Sequence, residues 1–204
     1  MTDWIEAVFL GDSLTAGFQQ GPGYLPPRYF PFVNMLESSL RIKLRELDVD
    51  RDIAVVNEGM DGDSTGGMLE RFSRSVEPAK PDIVLIWGGI NDLSSRKTPE
   101  ETLPNIIELA ERSKALGAVP IVINVTPVEG AHFNETVCRL NELIEKYCTE
   151  SETMYLDLYS ELVDSEGKLA ETYSNDGVHL SDAGYRKIMP PIFLAVLKLV
   201  EKMI

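Results

Sequence analysis

Ile83-Val84-Leu85-Ile86-Trp87 is an unbroken apolar run, preceded by Asp82 and closed by Gly88, and Gly89-Ile90-Asn91-Asp92 follows it at once. A run without polar alternation suits a strand buried on both faces, the condition of a parallel sheet covered by helices. Four similar short runs occupy residues 4–10, 53–57, 119–125 and 154–158, and helical material separates them. This alternation predicts a three-layer α/β/α domain with a five-stranded parallel sheet.

The helical segments have readable ends. Thr98 is followed by Pro99 and then Glu101, which combines a capping box with proline at the first helical position, so a helix should start there. Leu103, Ile106, Ile107 and Ala110 continue its apolar stripe, Pro104 should kink it, and Gly117 should stop it. Val137, Leu140, Ile144, Tyr147 and Cys148 form a second stripe, read as core contacts. With no repeat or linker in view, residues 1–204 read as one domain, and the Pro/Gly-rich stretch 21–27 as a long loop.

Composition narrows the partners. The chain has 204 residues, enough for one well-buried core without disulfides or a structural metal. It carries 19 Lys and Arg against 33 Asp and Glu, a net charge of −14, which argues against nucleic acid as a partner. The one basic-rich patch, residues 41–45, alternates with apolar residues and reads as a solvated helix face. Cys138 and Cys148 sit ten apart in one expected helix, ~15 Å at 1.5 Å per residue, so they cannot pair and read as free core thiols in a reducing compartment. Residues 1–3 carry no basic leader region, and the longest apolar stretch, 188–197, contains Pro190 and Pro191 and is half the ~20 residues of a bilayer span. A cytoplasmic location without a membrane segment is the expectation; the oligomeric state is not legible.

In an open parallel sheet, ligands bind beyond the carboxyl ends of the strands. Those ends carry Gly11-Asp12-Ser13-Leu14, then Asn57-Glu58-Gly59-Met60-Asp61-Gly62, then Gly89-Ile90-Asn91-Asp92, and after the last strand Asp176-Gly177-Val178-His179. Only two histidines exist, His132 and His179, and Asp176 three residues before His179 can orient one ring nitrogen while the other faces a nucleophile. Taken singly, each feature also has an ordinary explanation: a helix cap at Ser13, a turn glycine at 62, a capped turn at 176–179.

Together and in this order, the four segments resemble the blocks of the SGNH hydrolases, the superfamily that includes the GDSL lipases and esterases. The resemblance runs from about residue 8 to 188 and continues through His179-Leu180-Ser181-Asp182-Ala183-Gly184-Tyr185. It implies a flavodoxin-like strand order, a serine esterase acting on acyl esters, and no cofactor or metal. It makes Ser13 the nucleophile, His179 the general base and acid, and Asp176 the group that orients the imidazole. The implied oxyanion hole combines the backbone N–H groups of Ser13 and Gly62 with the side-chain amide of Asn91. Glycine at 62 is expected because a backbone N–H approaches a substrate oxygen closely only where no Cβ intrudes.

Two rivals remain beside this reading. Gly62-Asp63-Ser64-Thr65-Gly66 matches the Gly-x-Ser-x-Gly elbow of α/β-hydrolases, but Ser64 lies several polar residues beyond its strand and reads better as the cap of a helix carrying Met68, Leu69 and Phe72. A noncatalytic ester- or phosphate-binding flavodoxin-like module is the second, disfavoured for phosphate because no glycine-rich loop has a supporting lysine. His132 is read as a loop residue at the pocket rim. Among small-molecule esters, lysophospholipid, thioester, aryl ester and acetylated carbohydrate remain open. The segment 18–30, with Tyr24, Leu25, Tyr29 and Phe30, reads equally as an acyl groove or as a packing edge.

Overall fold

Along strand β1 (Asp3–Gly11), Ile5, Ala7 and Phe9 enter one apolar layer while Val8 and Leu10 enter another, so the period-two geometry of one strand feeds two cores. The computed structural model describes residues 3–21 and 24–204. In chain order after β1 come α1 (Ser13–Ala16), β2 (Phe18–Gln19), β3 (Arg28–Tyr29), α2 (Phe32–Glu46), β4 (Arg51–Gly59), α3 (Thr65–Ser75) and β5 (Ile83–Trp87). Then follow α4 (Ile90–Ser94), α5 (Pro99–Ala115), β6 (Val119–Ile123), α6 (Ala131–Glu150), β7 (Met154–Leu156), α7 (Tyr159–Leu162) and α8 (Asp182–Val200).

Five strands form one sheet in the order β4-β1-β5-β6-β7, and all four pairings are parallel. This is the expected five-stranded sheet, in the expected flavodoxin-like order. Ile83, Leu85 and Trp87 join Phe9 in the layer shared with α2 and α8, where Phe32 and Tyr185 stack at 5.0 Å between ring centroids. Val84 and Ile86 face the opposite layer, built with α3, α5 and α6. The chain leaves β1 toward β4 on one side and returns to β5 on the other, so the crevice between the ends of β1 and β5 is the topological switch point.

The helix start expected at Thr98 is observed. Thr98 Oγ1 accepts the Glu101 backbone N–H at 3.2 Å and Glu101 Oε2 accepts that of Thr98 at 2.8 Å, closing the capping box that starts α5. Pro104 lies inside α5 without ending it, and Gly117, at φ +85°, follows its close. Pro190 and Pro191 likewise fall inside α8. Among the described residues no helix is long and apolar enough to cross a membrane.

Other expectations are corrected. The segment 18–30 is not simply a loop: β2 and β3 pair antiparallel, Phe18 opposite Tyr29 and Gln19 opposite Arg28. Pro22 and Gly23 of that segment, and Met1 and Thr2 of the expected leaderless start, lie outside the described residues. The basic patch 41–45 is only partly solvated, since Arg41 is half-buried, pairs with Glu37 and Asp52, and lies 5.0 Å over the Trp4 ring. Cys138 and Cys148 are free thiols on α6, and burial pushes Cys148 up to about 12.

Candidate active site

Asp12, one residue past β1, caps α1: its Oδ1 accepts the Leu14 backbone N–H at 2.9 Å. Ser13 is therefore the first residue of the helix rather than its cap, and its hydroxyl is free for other partners. That hydroxyl lies 3.1 Å from His179 Nε2, across 166 residues of sequence. His179 Nδ1 is 2.8 Å from Asp176 Oδ2. The tautomer that satisfies both contacts carries its proton on Nδ1, donates it to Asp176, and leaves Nε2 to accept from Ser13.

The three-residue spacing works because Asp176 closes a turn on itself. Its Oδ1 accepts the backbone N–H groups of Val178 at 3.0 Å and His179 at 2.8 Å, while Oδ2 takes the ring. Partial burial opposes ionisation of Asp176, but these hydrogen bonds, the ring's first among them, outweigh it and hold the carboxyl below its usual value. Ser174 Oγ donates to the His179 carbonyl at 2.7 Å and accepts the Gly177 N–H at 2.9 Å, which fixes the rest of the turn. On the other side the Phe18 ring lies 4.5 Å from the imidazole, so the β2–β3 ribbon forms one wall of the site.

Gly62 and Asn91 reach the same sheet edge from β4 and from α4. Asn91 Nδ2 donates one proton to the Asp63 carbonyl at 2.9 Å, which anchors the amide beside the Gly62 segment. The expected reason for glycine at 62 needs correction: a Cβ there meets nothing within 4 Å, and the requirement is the left-handed backbone at φ +73°. Close approach instead demands glycine at 59, where a Cβ stands 2.1 Å from the Ala16 nitrogen, so α1 seats directly on the end of β4.

Side chains that sequence reasoning missed hold these loops. Asp92 is fully buried and accepts from the Thr65 N–H at 2.7 Å, the Thr65 hydroxyl at 3.0 Å and Lys97 Nζ at 2.8 Å. Arg71 is 1% exposed on α3 and reaches back to the same loops. The available signal for Arg71 was its place on the helical stripe of Met68 and Phe72, where a cation is out of character.

The Gly62–Gly66 rival is absorbed by structure. Ser64 Oγ accepts the Gly67 N–H at 3.1 Å and caps α3. Ser64→Ala is expected to lower stability by about 1 kcal/mol, read as a fall in Tm, while kcat on an ester stays within twofold of wild type. His132 lies in the first turn of α6, not in a loop, and its side chain is 98% exposed beside Glu135. A cavity of about 300 Å³ adjoins Asp176, with Ile90, Val128, Phe133 and Val178 as apolar walls and Glu129 at its rim.

The GDSL-like Lipase/Acylhydrolase family model matches residues 9–187. The chain belongs to this family. Within it, the sequence is 27% identical over 172 residues to an arylesterase of Vibrio mimicus, covering 83% of this chain and 77% of that protein. It is 26% identical over 154 residues to the alpha2 subunit of platelet-activating factor acetylhydrolase IB of Rattus norvegicus, covering 72% and 66%. The fold is shared with a catalytic mutant of an acetylxylan esterase from Geobacillus stearothermophilus, with a TM-score of 0.77 at 21% identity over 96% of each chain.

A buried acid sits beside the serine of this GDSL-like chain. Desolvation, with smaller contributions from Asp63 and Asp92, raises Asp12 to about 7, and its Oδ2 has no hydrogen-bond partner among the described residues. A carboxyl whose pKa rises on folding favours the folded state fully below its unfolded value near 3.8, and loses that contribution as pH climbs to about 7. The stability difference between Asp12→Asn and wild type should therefore shift in favour of the variant from pH 4 to pH 7 and level off above, by up to about 4 kcal/mol in unfolding free energy, with Tm moving in the same direction. Thermal melts across that range check it.

Proposed function

We propose that this protein is a serine esterase hydrolysing small-molecule carboxylic esters through an acyl-enzyme. The observation that carries the reading is the continuous contact from Ser13 Oγ to His179 Nε2 at 3.1 Å and from His179 Nδ1 to Asp176 Oδ2 at 2.8 Å. A serine hydroxyl is a weak nucleophile until a base takes its proton, and these distances give it one.

In the proposed mechanism, Ser13 Oγ attacks the acyl carbonyl carbon as His179 Nε2 takes the hydroxyl proton. The carbonyl oxygen becomes an oxyanion facing the N–H groups of Ser13 and Gly62 and the remaining proton of the Asn91 amide. The imidazolium, steadied by ionised Asp176, gives its proton to the departing alcohol oxygen as the C–O bond breaks. Water then attacks the acyl-Ser13 carbonyl with His179 as base, and the acid product leaves with the serine regenerated. The residues need no cofactor for these steps.

The cavity beside Asp176 supplies apolar walls for a neutral substituent, and the net charge of −14 works against polyanionic substrates. Arylesterase and acetylhydrolase activities among the relatives support an ester of modest size. We take the chain as one domain, 1–204, acting in the cytoplasm, where the free thiols of Cys138 and Cys148 fit a reducing compartment.

The test is labelling with a fluorophosphonate followed by peptide mass mapping, in wild type and in His179→Ala. The expected result is one adduct on Ser13 that the variant lacks. No adduct on the folded wild-type protein overturns the esterase reading in favour of a binding module, and an adduct on Ser64 overturns the assignment of the nucleophile.

A further inference from the structure

We propose that Arg71 is a positioning residue for ester hydrolysis: its buried guanidinium ties together the chain segments that carry Ser13, Gly62 and Asn91. The inference rests on the esterase reading and extends it to a side chain that touches no substrate.

Arg71 points from α3 beneath the carboxyl edge of the sheet. One Nη2 donates to two backbone carbonyls, Gly11 at 2.9 Å and Glu58 at 2.8 Å. These close β1, two residues before Ser13, and β4, four residues before Gly62. Nε donates to Asp63 Oδ2 at 2.7 Å, and the Asp63 carbonyl in turn accepts from the Asn91 amide at 2.9 Å. Nη1 reaches Ser75 Oγ at 3.2 Å and lies 3.6 Å from Glu58 Oε2. A single planar group thus fixes the relative position of all three proposed oxyanion donors, directly for two segments and through Asp63 for the third.

The chemistry requires arginine. Its rigid fork presents five donors in fixed directions, whereas a lysine ammonium is a compact charge on a flexible stem and cannot span two carbonyls and a carboxylate from one place. A buried ion pair alone is a weak reason to place a charge here, because a well-packed apolar side chain often stabilises a fold as well. The convergence of every strong contact on the donor loops gives the residue a catalytic purpose: donors aimed at a developing oxyanion lose effect when displaced by a fraction of an ångström.

Arg71→Lys, Asn91→Ala and the double variant, assayed with p-nitrophenyl acetate alongside thermal melts, test this. Asn91→Ala is expected to lower kcat about 10²–10³-fold with little change in KM. Arg71→Lys should lower kcat at least about tenfold with KM within about twofold, because the loss falls on the transition state. The double variant should lose less than the product of the two single losses, since the part of the Arg71 effect that passes through Asp63 to Asn91 is already gone, while the ties to the Ser13 and Gly62 segments still count. A folded Arg71→Lys with wild-type kcat overturns the proposal, and losses that multiply in full overturn the link from Arg71 through Asp63 to Asn91. If Arg71→Lys does not fold, Asp63→Asn keeps the acceptor shape while weakening its tie to Arg71. It must then show the same kcat loss and the same coupling to Asn91, and a wild-type kcat there overturns the proposal equally. An inactive wild type overturns the esterase reading itself; a fully active Asn91→Ala removes Asn91 from the oxyanion hole and with it the link through Asp63; an active wild type with an impaired Asn91→Ala and a normal Arg71→Lys overturns only the role of Arg71.

Discussion

Ser13→Ala and His179→Ala are each expected to lower kcat by about 10⁴–10⁶-fold, and the double variant by no more than the worse of the two. The two side chains act as one unit. Without the imidazole at 3.1 Å the hydroxyl keeps its proton, and without the hydroxyl the imidazole has nothing to activate. What survives either change is the residual effect of the oxyanion donors and substrate binding, so KM should move far less than kcat. Steady-state kinetics on one ester, with active-site titration to exclude wild-type contamination, checks the result. Multiplying losses in the double variant would mean that the two residues serve separate steps and would end the Ser13–His179 proposal.

Asp176→Asn is expected to lower kcat about 10⁴-fold with the fold intact. The asparagine oxygen can keep the backbone N–H groups of Val178 and His179, which Asp176 Oδ1 now accepts. The amide nitrogen then faces Nδ1 as a donor. Nδ1 must become an acceptor, Nε2 takes the ring proton, and the nitrogen nearest Ser13 can no longer act as base. Nuclear magnetic resonance of ring-labelled histidine reports the tautomer, and kinetics report the rate. A normal rate with the proton still on Nδ1 would remove Asp176 from the mechanism. The substitution also changes acid stability: the wild-type carboxyl, lowered on folding, stabilises the protein above its unfolded value near 3.8 and ceases to as pH falls through its folded value. The window is opposite to that of Asp12, so low-pH melts separate the two carboxylates.

The strands were legible because burial on both faces leaves a short continuous apolar run, as in Ile83 to Trp87, whereas the longer run 188–197 is helix α8. The helix starting at Pro99 was legible because its cap is local. The β2–β3 ribbon was not, since two residues on each side carry no periodicity and their partners, His179 for Phe18, Leu180 for Gln19 and Asp182 for Arg28, are distant in sequence. The start of α6 was hidden for a related reason: Gly130 precedes it without a side-chain cap, which left His132 looking like loop. Within the site, Ser13, Asp176, His179, Gly62 and Asn91 became readable as a set through family resemblance, because each alone is ordinary turn or cap material. Arg71, Asp63 and Asp92 act through contacts that exist only after α3 and α4 have docked, so their sequence neighbours say little about them. Gly62 shows a subtler limit, in that glycine was expected there for a steric reason while the left-handed backbone is what demands it.

The two halves of the proposed machinery are attached with unequal strength. Ser13 follows a central strand hydrogen-bonded on both sides. His179 rides on a turn held mainly by Ser174, Asp176 and the single bridge between Ser174 and Leu180. Amide protons near the end of β1 should therefore exchange with solvent only on global opening, and those of residues 174–179 through cheaper local excursions. On heating, the imidazole should part from the serine before the sheet melts, so the temperature at which turnover fails is expected to lie below the temperature at which the protein unfolds.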